Sequence, residues 1–407
     1  MTSSVSFLET DINRARTGRR PAPRPSELTC ELVGSVEGIR ALDAEYQQLY
    51  RVTRNTLPFA LQEWHLAWCT HFLNRSPQIR EEPLFCVLRD GGGECVGLVP
   101  LILSRRRVGP LNVATLAVLG ADPGLTEIRN PLVKPGCERA VVRAVHGRLA
   151  EDPDWYWIDW SGVSGALAEA LTQEAAPRWY EINQDFVLDL PSGWQEFHAG
   201  LKRNVRESLR HCYNSLRRES HEFEFVVARK RSEVRPALDR FLELHTLRAN
   251  MAWGPKHPDR FVGASLREFL YDVCERMAAR DALRVFQLRI GGRIVASRIA
   301  FVVGDSVYLY YSGFDPLWAR YSVMTTTVAE AFKYAIANGL KSVNLSPTGE
   351  QSKLRWRPRR LDFRSALVHR ESLSSRIMCA AHRAALARAG APVRLLKAFF
   401  WAPRDWG

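Results

Sequence analysis

Two stretches of the chain repeat one order of apolar runs and turns. Residues 84–103 read LFCVLRDGGGECVGLVPLIL, and residues 283–303 read LRVFQLRIGGRIVASRIAFVV. Each is an apolar strand, a run of glycines and a second apolar strand beginning at Val96 or Ile294. Paired glycines between such runs predict a β-hairpin. The segments after the two hairpins also correspond. Residues 138–150 have helical spacing and lead into a strand at 155–160, and residues 328–338 do the same before a strand at 341–345. Two hairpin–helix–strand units predict a duplicated α/β (α+β) fold, each half a mixed sheet flanked by helices. The halves are expected at 27–190 and 220–370.

The stretch 307–347, VYLYYSGFDPLWARYSVMTTTVAEAFKYAIANGLKSVNLSP, carries the clearest chemistry. Residues 307–311 are strand formers between Gly304-Asp305 and Ser312-Gly313. A turn at Phe314-Asp315-Pro316 comes next. Then Val328, Ala331, Phe332, Ala335 and Ile336 recur at helical spacing, and Asn338-Gly339 ends the helix. A strand entering a helix N-terminus through a short polar loop offers free N–H groups and the positive end of the helix dipole to an anion. Arg320, Ser322 and Thr325 add donors there.

Between the halves, residues 198–218 place Leu201, Val205, Leu209 and Leu216 on one side. Lys202, Arg203, Arg206, Arg210, Arg217 and Arg218 lie on the other, which predicts a basic linker helix over 191–219. Residues 1–26 lack the apolar core of a signal peptide and are expected to form a disordered basic arm. Residues 371–407 are expected to form a basic amphipathic helical tail, with Leu395, Phe399, Phe400 and Trp401 among cations. Such a mixture suits peripheral contact with an anionic membrane or docking on the protein itself. The expected location is cytoplasmic, peripheral to the inner membrane if the tail binds lipid.

Composition narrows the partners. The 407 residues are 46% hydrophobic and 25% charged, as in a soluble globular protein, and the net charge of +13 favours anionic partners. The eight cysteines form no C-x-x-C pair, and no histidines stand four apart, so no metal site is expected. No helix-turn-helix or RNA-binding signature accompanies the charge, so nucleic acid is not the expected partner.

The second half resembles the GNAT-type acyltransferase domain of CelD/BcsL-like proteins, which are associated with cellulose or exopolysaccharide synthesis. The residues that carry the resemblance are Tyr310-Tyr311-Ser312-Gly313-Phe314-Asp315-Pro316, Ala319-Arg320-Tyr321-Ser322, and the run from Gly349-Glu350 through Lys353 to Trp356. Phe59, Trp64, Trp68 and Leu98-Val99-Pro100 resemble that family's first half, so the likeness spans about 27–370. Fem-type peptidyltransferases are similar at greater distance. Where the family has Pro-Gly after Tyr-Ser, this chain has Val323-Met324, bulkier neighbours for a pyrophosphate.

The resemblance implies tandem GNAT-like domains and direct attack of an amine on a thioester. The donor would be acyl-CoA or an acyl carrier protein; the acceptor would be an amine of a sugar, lipid base or related envelope metabolite. Arg320, Tyr321, Ser322, Val323, Met324, Thr325 and Glu350 are expected to hold the donor, with Glu350 pairing Lys353. Lys353 is the candidate for stabilising the thioester oxygen or a phosphate. His245 and Asp315 are the candidate bases, His245 for its titration near neutrality and Asp315 against a plain turn-making role. Tyr310 and Tyr311 are expected to alternate faces, with one, Tyr311, at the groove. Two other classes fit the same fold: a Fem-like transferase fed by aminoacyl-tRNA, and a non-catalytic binding protein.

Overall fold

The computed structural model describes residues 28–74, 76–108, 111–122, 124–152, 154–254, 257–347 and 351–387. The expected arm at 1–26 and the part of the tail beyond 387 lie outside them.

The first half runs β1 (Thr29–Val33), α1 (Val36–Ala41), α2 (Asp43–Thr53), α3 (Gln62–Phe72), β2 (Ile79–Arg89), β3 (Cys95–Val108) and β4 (Leu111–Val118). It continues with β5 (Leu132–Val133), α4 (Glu138–Ala150), β6 (Trp157–Val163), α5 (Gly165–Ala175) and β7 (Arg178–Asp189). The second half opens with α6 (Trp194–Gly200), α7 (Arg203–Arg218), β8 (Phe223–Ala228), α8 (Arg231–Ala249) and α9 (Ala264–Ala279). It then runs β9 (Leu283–Ile290), β10 (Arg293–Val303), β11 (Ser306–Phe314), α10 (Val323–Ala337), β12 (Ser342–Asn344), α11 (Gln351–Leu354), β13 (Arg359–His369) and α12 (Leu373–Ala387).

Both expected hairpins form. β9 and β10 turn through Gly291 and Gly292 at φ 54° and 80°, the left-handed conformation that a tight hairpin needs and glycine supplies. β2 and β3 turn through a longer loop in which Asp90 Oδ1 accepts from the N–H groups of Gly92 and Glu94. In each half an antiparallel meander then gives way to a parallel pair, β4 with β6 and β11 with β12. A parallel neighbour requires a crossover, and α4 and α10 supply it.

The halves share one sheet. Its order is β1-β2-β3-β4-β6-β13-β7-β12-β11-β10-β9-β8, with β5 against β3. The last strand of each half therefore lies in the other half's territory. β7 pairs with β12, β13 pairs with β6, and β7 and β13 pair with each other between them. A core under one face is likewise common to both halves: Trp64 of α3 meets Phe269 of α9 edge-on with ring centroids 5.3 Å apart.

The segment expected as a linker helix differs from that expectation. The helix breaks at Leu201-Lys202, and α7 lies on α10 rather than in solvent. Val205, Leu209, Cys212 and Leu216 are buried, and Tyr213 donates to Glu330 of α10 at 2.5 Å. The apolar stripe read from the sequence is real; it serves the second half's core. Among the described residues, all eight cysteines are free thiols and no helix is long and apolar enough to cross a membrane.

Candidate active site

β11 and β12 pair for only three residues, Ser306 to Tyr308 against Ser342 to Asn344. Beyond that point no strand among the described residues pairs β11 on the β12 side, and the strands splay. A bulge accompanies the splay: opposite Arg298 and Ala300 of β10 stand Ser312 and Leu309, so β11 carries one extra residue around Tyr310-Tyr311. A bulge bends its strand and re-aims the side chains within it. That changes the expected alternation. Tyr310 and Tyr311 lie on the same side, with ring centroids 4.5 Å apart.

The three tyrosines of β11 clasp a loop of the first half. Tyr308 Oη donates to Glu127 Oε2 at 2.7 Å, Tyr310 Oη to the Leu125 carbonyl at 2.6 Å, and Tyr311 Oη to the Gly124 carbonyl at 2.6 Å. Burial pushes all three phenols above their usual range, so they act as donors at any ordinary pH. Asp122 holds the same loop from within. Its carboxylate accepts from the N–H groups of Gly124, Leu125 and Thr126, and Trp68 Nε1 donates to it at 3.1 Å. Trp64 Nε1 donates to Thr126 Oγ1 at 3.0 Å. Both tryptophans are core residues whose polar ends position the loop.

The splay opens a cavity of ≈ 470 Å³, and Glu127 stands in its wall. Loss of solvation lifts the Glu127 carboxyl to about 7. The Tyr308 hydroxyl, Lys353 and Arg298 oppose that rise, and the buried Asp185 adds to it. Burial therefore poises Glu127 to exchange a proton near neutral pH. Sequence reasoning missed it, because residues 124–130 show no periodicity and no motif. The nearest signal is an acid among apolar neighbours, Leu125 and Ile128, shortly after Asp122-Pro123-Gly124 in the sequence.

The far wall is built on the exit of β12. Asp185 of β7 accepts from Asn344 Nδ2 at 2.6 Å, and Asn344 Oδ1 accepts from the Ser346 N–H at 2.8 Å. Ser346 sits at φ 65°, a strained position for a side-chain-bearing residue. Lys353 holds it there, with Nζ donating to Ser346 Oγ at 3.1 Å, to the Ser346 carbonyl at 3.3 Å and to the Pro347 carbonyl. Lys353 thus lines the cavity while bracing the β12 exit.

His245 also lines the cavity, but both ring nitrogens are engaged. Nδ1 faces the Ser312 carbonyl at 3.0 Å and must donate to it; Nε2 accepts from the Arg260 N–H at 3.3 Å. Burial lowers its pKa, so the ring is a neutral brace between α8 and β11. Gly313 permits that contact: a Cβ there would lie 2.3 Å from the His245 amide nitrogen. Asp315 lies outside the cavity wall and accepts from the Leu317 N–H, capping the short helix Pro316–Tyr321.

The expected donor-binding residues divide. Met324 and Thr325, in the first turn of α10, line the cavity. Val323 is buried in the core, Tyr321 bonds to Glu219 and His221, Arg320 pairs with Glu219 at 2.9 Å, and Ser322 precedes α10 at φ 53° without a side-chain cap bond. Glu350 lies outside the described residues.

The cavity has two sides, because β11 separates two cores. Val307 and Leu309 face the core of α7 and α10, whereas Tyr308 and Tyr310 face the core of α3, α8 and α9. Met324, Thr325, Val328 and Trp356 belong to the first side; Glu127, His245 and Arg248 belong to the second. Together these features form a split sheet with a helix N-terminus on one side and a poised carboxylate on the other.

The family model described as an acetyltransferase (GNAT) domain matches residues 203–354, from the start of α7 to the end of α11. The chain carries a GNAT acetyltransferase domain. The matched segment lies wholly within the second half. A conserved protein of unknown function from Bacteroides thetaiotaomicron superposes at a TM-score of 0.52 and 14% identity, over 83% of this chain and 100% of its own. FemX superposes at 0.47 and 10% identity, over 74% and 95%. A tandem GNAT protein from the clavulanic acid biosynthesis pathway superposes at 0.44 and 11% identity, over 84% and 100%. No curated protein matches the chain.

Proposed function

We propose that this GNAT-type enzyme is an N-acyltransferase that moves an acyl group from a thioester, acyl-CoA or an acyl carrier protein, to an amine, with Glu127 as general base. The carrying observation is Glu127: a carboxyl lifted to about 7, held by Tyr308 at the mouth of the β11–β12 splay. The resemblance of the 310–356 motifs to CelD/BcsL-like proteins favours an amine of a sugar, a lipid base or a related envelope metabolite.

In this reading the thioester lies in the splay, and its phosphates lie toward the first turn of α10. The amine enters from the α8 side. Ionised Glu127 takes a proton from the amine as nitrogen bonds to the thioester carbon. The oxyanion that forms faces the β11 edge beyond Tyr308, where backbone N–H groups stabilise it. Carbon–sulfur cleavage then releases a thiolate, to which Glu127 returns the proton. Lys353, Tyr311 and His245 position the walls, and Asp315 shapes the turn before α10.

The test is release of free thiol from acyl-CoA with amide formation across a panel of amines. Glu127→Gln should lower kcat/KM by at least about a hundredfold, the usual range for a lost general base. The wild-type rate should rise with pH through a limb near 7 that the variant lacks. Full activity in a folded Glu127→Gln protein would overturn the assignment. Absence of both acyl-CoA binding and thiol release would overturn the reading as a whole.

A further inference from the structure

Apart from Glu127, the charged side chains on the acceptor's side of the cavity are cationic. Arg248 comes from α8, and His257 and Arg260 from the segment after it. Arg248 donates from Nη1 to Ser312 Oγ at 2.7 Å and from Nη2 to His257 Nε2 at 2.7 Å, which fixes the plane of its guanidinium. Because Nε2 accepts, His257 is neutral with its proton on Nδ1. Arg260 is anchored through its backbone N–H on His245, and its side chain crosses the clasped loop: a Cβ at Gly124 would lie 3.3 Å from Arg260 Nη1.

Glu127 is the one carboxylate among the described lining residues. Asp259, next to this group in the chain, is occupied with Thr246 Oγ1 and the Phe261 N–H and faces His245 at 3.8 Å. A simple ammonium would meet two guanidinium groups and one half-protonated carboxyl. Such a wall repels a bare cation and attracts an anion.

We propose that the acceptor is an amine that also carries a carboxylate or phosphate, seated on Arg248 and Arg260 with its nitrogen turned toward Glu127. The inference rests on the reading of this cavity as an acyl-transfer site. A planar guanidinium fork held in fixed orientation, as that of Arg248 is, matches an oxyanion in geometry as well as in charge. The same cations favour the neutral form of the bound amine, which is the form that attacks.

Matched amines decide it: β-alanine against β-alaninamide, and O-phosphoethanolamine against ethanolamine, with thiol release and product mass as readouts. The charged member of at least one pair should show a kcat/KM at least about tenfold above its neutral partner. The responding pair separates carboxylate from phosphate. Arg248→Gln and Arg260→Gln should each raise the acceptor's KM roughly ten- to a hundredfold, the loss expected for a charge-assisted contact, without raising the KM for acyl-CoA. Equal or better turnover of the neutral members overturns this inference and leaves acyl transfer standing. Hydrogen exchange supplies a readout that needs no turnover: inorganic phosphate or acetate should protect the Arg260 and Phe261 amides. Protection by neither ion at about 10 mM, where a site of ordinary millimolar affinity would be occupied, overturns the proposal.

Discussion

The two halves repeat one order of elements and part company where a donor would bind. In the second half, β11 leads through the short helix Pro316–Tyr321 into α10, and no acidic residue stands in the first turn of α10. In the first half, the chain leaves β4 and does not reach α4 until Glu138. The residues between cross to the other half and deliver Glu127. At its own splay the first half is closed by backbone: a Cβ on Gly162 of β6 would lie 1.2 Å from the Arg129 carbonyl oxygen. The N-terminus of α4 also carries Glu138, whose carboxylate accepts from the Gly136 N–H at 2.8 Å. A carboxylate there already occupies the position that a phosphate would seek. On the proposed reading, the second half holds the cradle and the first supplies the base.

The largest expected effect opposes activity to stability at Glu127. Its carboxyl is raised from 4.5 to about 7 on folding, so the folded protein holds a proton that the unfolded chain has released. Folding stability from this group is complete below pH 4.5 and is lost as pH rises to 7; above that, ionised Glu127 costs up to about 3 kcal/mol. Glu127→Gln removes the titration and keeps an acceptor for Tyr308. Acyl transfer should therefore fall by about two orders of magnitude or more, while the urea midpoint rises at about pH 8 and changes little near pH 4.5. A midpoint at the alkaline pH no higher than wild type would mean that the carboxyl is solvated, and the contrast between the halves would lose its chemical meaning.

A smaller effect tests the seat of α8. Gly313→Ala places a Cβ 2.3 Å from the His245 amide nitrogen and 2.5 Å from the Leu244 carbonyl carbon, so helix and strand must separate. Overpacking of this kind costs about 1–3 kcal/mol, and the shift should loosen Arg248 and raise KM for the acceptor. Gly147→Ala on α4 is the control, since a Cβ there meets nothing within 4 Å. It should stabilise the helix by roughly 0.5–1 kcal/mol without altering kinetics, as read from denaturant midpoints and steady-state rates.

Much of this was legible in the sequence. The glycine turns, the helical spacing at 138–150 and 328–338, and the strand–turn–helix at 307–337 all form, because each rests on contacts near in sequence. The features that stayed hidden depend on distant partners. Glu127 owes its raised pKa to burial that no local pattern encodes, and the hydroxyl that holds it, that of Tyr308, lies 181 residues away. The exchange of β7 and β13 is equally hidden, because neither strand's own pattern says which neighbour it pairs with. The bulge at Tyr310-Tyr311 defeats simple alternation for a similar reason; only its register against β10 reveals the extra residue.

The smallest effect transplants the difference between the two helix N-termini. Thr325→Asp puts a carboxylate into the first turn of α10, as Glu138 does for α4, but on the cavity wall. The helix itself should gain about 0.3–1 kcal/mol from an acid near its positive end. A phosphate-bearing donor should meet one added negative charge a few ångströms away, enough at intermediate dielectric to weaken binding by about tenfold. Acyl-CoA KM should rise accordingly, while the acceptor's KM stays put because Thr325 lies across β11 from Arg248. Glu138→Gln is the counterpart and should leave both constants unchanged. If Thr325→Asp alters acceptor KM and spares the donor, the sides of the sheet have been assigned the wrong way round. The α10 cradle would then hold the amine's own anion rather than the thioester's.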